Sequence, residues 1–140
     1  MRVLLDTDVV LDVIMARAPF AKAAAELLDL NEQGLFEAYI CGITPINIFY
    51  IARKAKSSAD LRQTISQLLQ TVRVCPLDHS VLTNAFNLPF NDYEDAVQHA
   101  SATASRLDAI VTRNVSDYKN ATLPVFAPAD FLNHLTNQQK

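Results

Sequence analysis

Short apolar runs alternate with amphipathic segments along the chain, and this pattern predicts alternating strands and helices. The candidate buried strands are Val3–Leu5, Phe36–Cys41, Val72–Cys75 and Ala109–Thr112, with Val125–Phe126 as a candidate edge strand. Strands that read as continuous apolar runs are usually covered on both faces. We therefore expect a three-layer α/β/α sandwich with a central, mainly parallel sheet. The length favours a single domain over residues 1–140.

Boundary signals divide the amphipathic segments into helices. Residues 7–15 are expected to form a short helix or a turn. The other predicted helices are 20–31, 44–56, 59–70, 78–88, 91–106 and 128–135, followed by a frayed Gln-Gln-Lys tail. Gly34 is placed to end the second helix, and Thr44 is a candidate N-cap with Pro45 in the first helical position. Asn91 and Glu94 have the spacing of a capping box.

Composition restricts the possible classes of function. Half of the residues are hydrophobic and 19% are charged, which is typical of a globular protein, and no apolar segment is long enough for a membrane span. The N-terminus does not resemble a signal peptide, so we expect a cytoplasmic protein whose Cys41 and Cys75 are buried and reduced. The net charge of −3 argues against electrostatic coating of nucleic acid. It does not exclude a nuclease, because a bound cation would offset acids in an active site.

Acidic side chains come together from three separate segments. Asp6 and Asp8 follow the first predicted strand, Asp95 lies near the start of the helix before the fourth, and Asp117 follows that fourth strand. Because parallel strands end at a common edge, we expect Asp6, Asp95 and Asp117 to converge there. Crowded carboxylates repel one another unless a divalent cation lies among them, and their hard oxygen atoms favour Mg²⁺ or Mn²⁺. The pattern predicts a metal site at this edge.

Each acid taken alone also has a structural explanation. Asp6 would be an acceptable N-cap, Asp8 a solvated acid of a first helical turn, and Asp117 an ordinary turn residue. Asp95 would be another acid of a first turn. The argument for a site is their conjunction, since three independent caps on one edge are hard to explain.

The order of these motifs resembles that of the PIN domain, the fold of many small nucleases that include VapC-type toxins. The resemblance rests on three segments, which are Leu5-Asp-Thr-Asp-Val-Val-Leu-Asp12, Asp92-Tyr-Glu-Asp-Ala-Val-Gln98 and Ile110-Val-Thr-Arg-Asn-Val-Ser-Asp-Tyr118. It implies that Asp6, Asp95 and Asp117 are the catalytic, metal-binding acids. The implied supporting or substrate-binding residues are Asp8, Asn47, Thr112, Arg113 and Asn114.

One position departs from the family pattern. The helix Thr44–Arg53 aligns with the second motif of the family, where a glutamate is normal, and this chain has Asn47 there. An amide oxygen can coordinate Mg²⁺, but it adds no charge and cannot act as a base. The loss of one anion predicts weaker metal binding, for which Asp8, Asp12 or Glu94 are candidate compensating acids.

Three functions remain open at this point. The leading hypothesis is a ribonuclease that depends on Mg²⁺ or Mn²⁺, with Arg113 steadying the phosphate of an RNA substrate. If the chain is the toxin of a toxin–antitoxin pair, the resemblance implies an antitoxin partner and a homodimer. The second hypothesis is a catalytically weakened domain that binds RNA or a protein. The third is a phosphatase of the haloacid dehalogenase type, because Asp6-Thr-Asp8 resembles the opening motif of that family.

Overall fold

A single parallel sheet organises the protein in a computed structural model that describes residues 1–138. The strands are β1 (Arg2–Leu5), β2 (Glu37–Cys41), β3 (Arg73–Cys75), β4 (Ala109–Val111) and β5 (Val125–Phe126). Their order across the sheet is β3-β2-β1-β4-β5, and every neighbouring pair is parallel. The predicted parallel sheet is confirmed, with β5 at an edge as expected.

Helices cover both faces of this sheet. They are α1 (Thr7–Ile14), α2 (Ala21–Glu32), α3 (Thr44–Ala52), α4 (Ser58–Thr71), α5 (His79–Ala85), α6 (Tyr93–Ala104) and α7 (Pro128–Gln138). Apolar residues of α1–α4 and α7 belong to one core, and those of α5 and α6 belong to a second core. The three-layer α/β/α sandwich is therefore confirmed. None of the helices within residues 1–138 combines the length and apolar character needed to cross a bilayer.

The central strand β1 shows how the two cores are separated. Val3 and Leu5 pack into the core with α1, α2 and α7, whereas Leu4 packs into the core with α5 and α6. All three side chains are fully buried, as expected for alternate residues of a strand that is covered on both faces. Cys41 and Cys75 are free, buried thiols, as the sequence predicts.

Helix boundaries differ from the predictions in specific places. Gly34 follows the end of α2 with a φ of +82°, which fits its predicted role as a helix stop. Thr44 is not an N-cap, because its Oγ1 lies 3.0 Å from Oγ1 of Thr7 in α1 and the cap position is Ile43. Helix α7 extends to Gln138 rather than ending near Leu135, and the rest of the predicted frayed tail lies outside the described residues.

Candidate active site

Strands β1 and β4 deliver polar residues to the same edge of the sheet. Leu5 is in register with Val111, and the backbone nitrogen of Asp6 donates to the carbonyl oxygen of Val111 at 2.9 Å. The next residue of the second segment is Thr112, whose Oγ1 donates to Asp6 Oδ2 at 2.7 Å. The carboxyl end of the sheet therefore holds a buried carboxylate that is paired with a buried hydroxyl.

The first turn of α6 brings a second group of acids to this edge. The N-cap is Asp92, whose Oδ1 accepts a hydrogen bond from the backbone nitrogen of Asp95 at 3.0 Å. The predicted capping box of Asn91 and Glu94 is therefore wrong, since the cap lies one residue later in the chain. Glu94 is not used as a cap, and its side chain lines the same pocket as Asp6.

A pocket of about 270 Å³ collects these side chains. Six of its lining residues are acids, and they are Asp6, Asp8, Asp92, Glu94, Asp95 and Asp117. Asn114 also lines the pocket, and no Lys, Arg or His of the described chain is among the lining residues. The three acids expected to converge do lie around one cavity, and the cavity carries uncompensated negative charge.

Asp6 is the most highly hydrogen-bonded of these acids. Besides Thr112, Gln98 Nε2 donates to Asp6 Oδ1 at 2.7 Å, and the Tyr118 hydroxyl lies 3.3 Å from Asp6 Oδ2. Asp6 is only 6% exposed. The donors around Asp6 hold its buried side chain in a fixed orientation.

Asp8 is held by the loop that follows β4. Asn114 Nδ2 donates to Asp8 Oδ2 at 3.1 Å, and the backbone nitrogen of Arg113 lies 3.5 Å from Asp8 Oδ1. Burial raises the pKa of Asp8 to about 7, with a further contribution from the charge of Asp6. The predicted polar residues Thr112 and Asn114 thus contact different acids, Asp6 and Asp8 respectively.

Burial and crowding also affect the acids of α6. Burial raises the pKa of Asp95 to about 7, and the charge of Asp6 is the next largest cause. Burial likewise raises the pKa of Glu94, whereas the side chains of Asn47 and Thr7 lower it. Asn47, which stands where the family has a glutamate, therefore acts on an acid that comes from another helix.

The side chain of Arg113 does not line the acidic pocket. Its Nε lies 3.3 Å from Asp12 Oδ2, and its guanidinium group stacks over the ring of Phe20 at 4.1 Å from the ring centroid. Its side chain lines a different, mainly apolar cavity together with Asp12 and Phe20. This placement does not favour the predicted contact with a phosphate, because the charge of Arg113 is already paired with a buried acid.

The donor atoms of the pocket suit a hard divalent cation. Carboxylate oxygens are the preferred ligands of Mg²⁺ and Mn²⁺, and among the described residues no Lys, Arg or His lines the pocket with them. Within the described part of the chain, no three His, Cys, Asp or Glu side chains are grouped as a ready coordination shell. The carboxylate of Asp6 is instead turned to the donors Gln98, Thr112 and Tyr118.

Sequence reasoning assigned no role to Gln98 or Tyr118, which both contact Asp6. Gln98 is a fully buried polar residue on a helix whose other buried residues are mostly small or apolar. A polar residue three positions after Asp95 lies on the same helix face as that acid, and this spacing was the available signal. Tyr118 follows Asp117 directly, and the chain pattern gave no indication that its hydroxyl points back to β1.

Comparisons with known proteins bear on the fold of the chain. A sequence model of the PIN domain matches residues 2–116. Among solved structures, VapBC2 from Rickettsia felis, bound to a promoter DNA fragment, has a TM-score of 0.70 at 15% identity and covers 89% of this chain and 97% of its own. VapBC-1 from nontypeable Haemophilus influenzae has a TM-score of 0.68 at 18% identity, with coverage of 92% and 99%. A toxin–antitoxin complex from Klebsiella pneumoniae has a TM-score of 0.67 at 20% identity, with coverage of 90% and 97%. No curated protein sequence matches this one.

Proposed function

The chain belongs to the PIN domain family, and we propose that it is an endoribonuclease that depends on Mg²⁺ or Mn²⁺. The observation that carries the proposal is the pocket at the carboxyl edge of the sheet, where six carboxylates meet without a balancing cationic side chain. Such a concentration of negative oxygen atoms is unfavourable by itself and favourable around a divalent cation. RNA is proposed as the substrate because the resemblance to VapC-type toxins of the PIN family implies a ribonuclease.

Asp6, Asp95 and Asp117 are the residues that would hold the ion. A bound Mg²⁺ or Mn²⁺ supplies a water of lowered pKa and neutralises charge on a phosphodiester oxygen. Thr112 fixes the orientation of Asp6 through a hydrogen bond of 2.7 Å, and Asn114 fixes Asp8 at the rim of the pocket. Both contacts limit the motion of acids that would otherwise repel one another.

Glu94 is a candidate replacement for the missing acid of the second motif. Its side chain lines the same pocket as Asp6 and Asp95, and the side chain of Asn47, at the position of the family glutamate, lowers its pKa. We propose that this carboxylate, supplied by α6 rather than α3, takes the place of the missing acid. Its position in the pocket supports an active enzyme over a domain that has lost its chemistry.

The test is cleavage of total RNA with Mn²⁺ by the wild-type protein and by Asp6→Asn. We expect the wild type to cleave RNA, EDTA to stop cleavage, and Asp6→Asn to remain folded without activity. The Asn variant keeps most of the local hydrogen bonds, because the hydroxyls of Thr112 and Tyr118 can rotate to accept from its amide. Asp29→Asn is the matched control, since Asp29 is an exposed residue of α2. Undiminished RNA cleavage by Asp6→Asn would refute the assignment.

A catalytically weakened domain that binds RNA or a protein is the second candidate. Two observations favour it, which are the neutral Asn47 and the absence of a ready three-ligand group within residues 1–138. Calorimetry with Mn²⁺ separates the two candidates, because a domain without a metal site gives no saturable heat of binding. The phosphatase hypothesis is not proposed further, because the chain belongs to the PIN domain family.

We also propose an antitoxin as a protein partner. The solved structures that resemble this chain include complexes named as VapBC2, VapBC-1 and a toxin–antitoxin complex, and two of those found are bound to DNA. A mostly apolar groove of about 810 Å³ between α3 and α4 supports a partner, since Ile46, Tyr50 and Leu69 are 64%, 59% and 44% exposed there. Exposed apolar patches of this kind commonly mark protein interaction sites.

The partner proposal is tested by co-purification with the product of an adjacent reading frame. We expect Ile46→Glu to weaken the complex, because it places a charge in the apolar groove. Phe86→Glu is the control, since Phe86 is 72% exposed outside this groove. Equal co-purification of both variants would show that the groove is not the contact. The homodimer, the single domain over residues 1–140 and the cytoplasmic location remain predictions.

A further inference from the structure

Three donors from three different parts of the fold surround the carboxylate of Asp6. Thr112 follows β4, Gln98 belongs to α6, and Tyr118 ends a short 3₁₀ turn formed by Val115–Tyr118. Their distances to the carboxylate oxygens are 2.7, 2.7 and 3.3 Å. The orientation of Asp6 is therefore fixed by tertiary contacts rather than by its own segment.

The distribution of these donors over the two oxygens is uneven. Each carboxylate oxygen has about two lone-pair positions. Thr112 donates to Oδ2 and Gln98 donates to Oδ1, and the Tyr118 hydroxyl lies beside the second position of Oδ2. Among the described residues, Oδ1 thus receives a single donor, which leaves one of its acceptor positions open.

Tyr118 also fixes the separation of two acids. Its hydroxyl lies 3.3 Å from Asp6 Oδ2 and 3.4 Å from Asp95 Oδ1, so a single hydroxyl group stands between the carboxylates. The tyrosine is 2% exposed, and its ring packs edge-on against Phe90 with centroids 5.6 Å apart. Because the ring is held by packing, the hydroxyl acts as a spacer of fixed position.

Burial of the Gln98 amide is energetically unfavourable, and packing alone does not explain why a polar residue lies there. The side chain is fully buried, and its Oε1 has no hydrogen-bond partner among residues 1–138. An unpaired buried acceptor is unfavourable, and an apolar side chain of similar size would avoid it. The amide nitrogen donates to Asp6 Oδ1 at 2.7 Å and lies 3.5 Å from Glu94 Oε1, so the short hydrogen bond to Asp6 points to a role exercised through that acid.

We propose that Gln98 and Tyr118 are positioning residues that hold Asp6 so that it presents one Oδ1 position to a divalent cation. This inference rests on the metal-dependent function proposed above. Neither residue would contact the ion. The hydrogen bonds of Gln98 and Tyr118 persist when the cation binds, because they use other lone pairs of Asp6.

Calorimetric titration with Mn²⁺ tests the proposal on wild type, Gln98→Met and Tyr118→Phe. Each substitution removes a donor and keeps approximate side-chain size. Loss of partners that orient a metal ligand typically weakens metal binding 10–100-fold, and we expect about tenfold or more for each variant. Tyr93→Phe is the matched control for Tyr118→Phe, because the hydroxyl of Tyr93 donates to the carbonyl oxygen of Leu82 at 2.9 Å. Gln67→Met is the matched control for Gln98→Met, because Gln67 is exposed.

The outcomes separate this proposal from the one on which it rests. If wild type gives no saturable Mn²⁺ binding, the metal-dependent function fails and this inference fails with it. If wild type binds Mn²⁺ and both variants bind it with the affinity of Tyr93→Phe, the positioning role alone is overturned.

A second measurement needs no substitution at residue 98 or 118. In NMR spectra of the wild type, the side-chain amide protons of Gln98 are expected to stay hydrogen-bonded when Mg²⁺ is added. The ¹³C signal of the Asp6 carboxyl group is expected to shift in the same titration. A Gln98 amide that loses its hydrogen bond as Mg²⁺ binds would overturn the proposal, because the donor would then compete with the cation.

Discussion

Arg113 Nε lies 3.3 Å from Asp12 Oδ2, and this pair joins the loop after β4 to helix α1. Asp12 is 1% exposed, and burial raises its pKa, whereas the charges of Arg113 and Arg17 lower it. Arg17 is the more distant partner, with Nη1 at 3.7 Å from Asp12 Oδ1. Arg113 is thus the main compensation for a buried charge close to the acidic pocket.

Replacing Arg113 with Met is expected to lower the free energy of unfolding by about 2–4 kcal/mol at pH 8, because removing one partner leaves a buried charge poorly compensated. Methionine keeps much of the packing on Phe20. Urea denaturation measures the loss, and Asp12→Asn combined with Arg113→Met should recover part of it.

The sign of the pH dependence gives a second check on that variant. Without Arg113 the pKa of folded Asp12 rises further above its unfolded value, so the folded state binds the extra proton. Stability then falls as pH rises through the interval between those two pKa values, and the deficit is smaller at pH 5 than at pH 8. An equal deficit at both values would contradict an electrostatic origin.

The metal-free protein is expected to become less stable as the pH rises towards neutrality. Folded Asp8 and Asp95 have pKa values of about 7, well above those of an unfolded chain. The folded state therefore binds more protons between about pH 4 and 7, and the free energy of unfolding falls as pH rises through that window. After allowance for partial exposure, we expect a change of about 2 kcal/mol.

Thermal unfolding of wild type and Asp95→Asn at pH 8, 7 and 6 measures this effect. His99 acts in the opposite direction, because burial lowers its pKa, so the difference between the two proteins is the informative quantity. Wild type should gain stability relative to Asp95→Asn as pH falls. Saturating Mn²⁺ should reduce that relative gain. A difference in unfolding temperature between the two proteins that is the same at every pH would show that Asp95 does not titrate in this range.

The buried hydroxyl pair of Thr7 and Thr44 predicts strong non-additivity. The two Oγ1 atoms are 3.0 Å apart, and the residues are 5% and 0% exposed. Replacing either threonine with Val removes the hydroxyl partner of the other and should cost about 1–3 kcal/mol, and the double variant should lose less than the sum of the two single losses. Chemical denaturation of the four proteins completes the cycle, and additive losses would mean that the hydroxyls do not depend on each other.

Asn47→Glu is expected to have opposite effects with and without metal. The new carboxylate would stand beside Glu94 in a pocket that is already rich in acids, so the metal-free protein should unfold at a lower temperature. An added anionic ligand should tighten Mn²⁺ binding about tenfold, since affinity follows ligand charge. Asn84→Glu is the control, because Asn84 is exposed on α5. A lower unfolding temperature without tighter Mn²⁺ binding would place residue 47 outside the metal site.

Much of the fold was predictable because the strands are apolar throughout. Continuous burial on both faces produces runs such as Val3–Leu5 and Ala109–Val111, and these runs indicate a covered parallel sheet. Helix ends were predicted less well. Thr44 and Asn91 are both acceptable caps by local chemistry, but Thr44 bonds to Thr7 and the cap of α6 is Asp92.

The sequence analysis named the acids of the pocket and two of their polar partners, Thr112 and Asn114, but it named neither Gln98 nor Tyr118. The pocket contains Asp6, Asp95 and Asp117 because the carboxyl ends of parallel strands meet at one edge of the sheet. This rule can be applied once the strands are predicted from the sequence. The sequence placed Arg113 at a phosphate, whereas the structure pairs it with Asp12. Whether an arginine pairs with a neighbouring acid depends on how deeply that acid is buried, and burial is a property of the folded chain.

The amino-acid sequence by itself determined the order of strands and helices and the edge at which carboxylates gather, because periodicity and chain direction are local properties. Only the tertiary structure decided that Gln98 and Tyr118 bond to Asp6 across 92 and 112 positions of the chain. Such contacts depend on how α6 and the 3₁₀ turn pack against β1. Packing depends on the whole core at once. The spacing of Gln98 from Asp95 indicates only a shared helix face, and no local pattern predicts the contact of Tyr118.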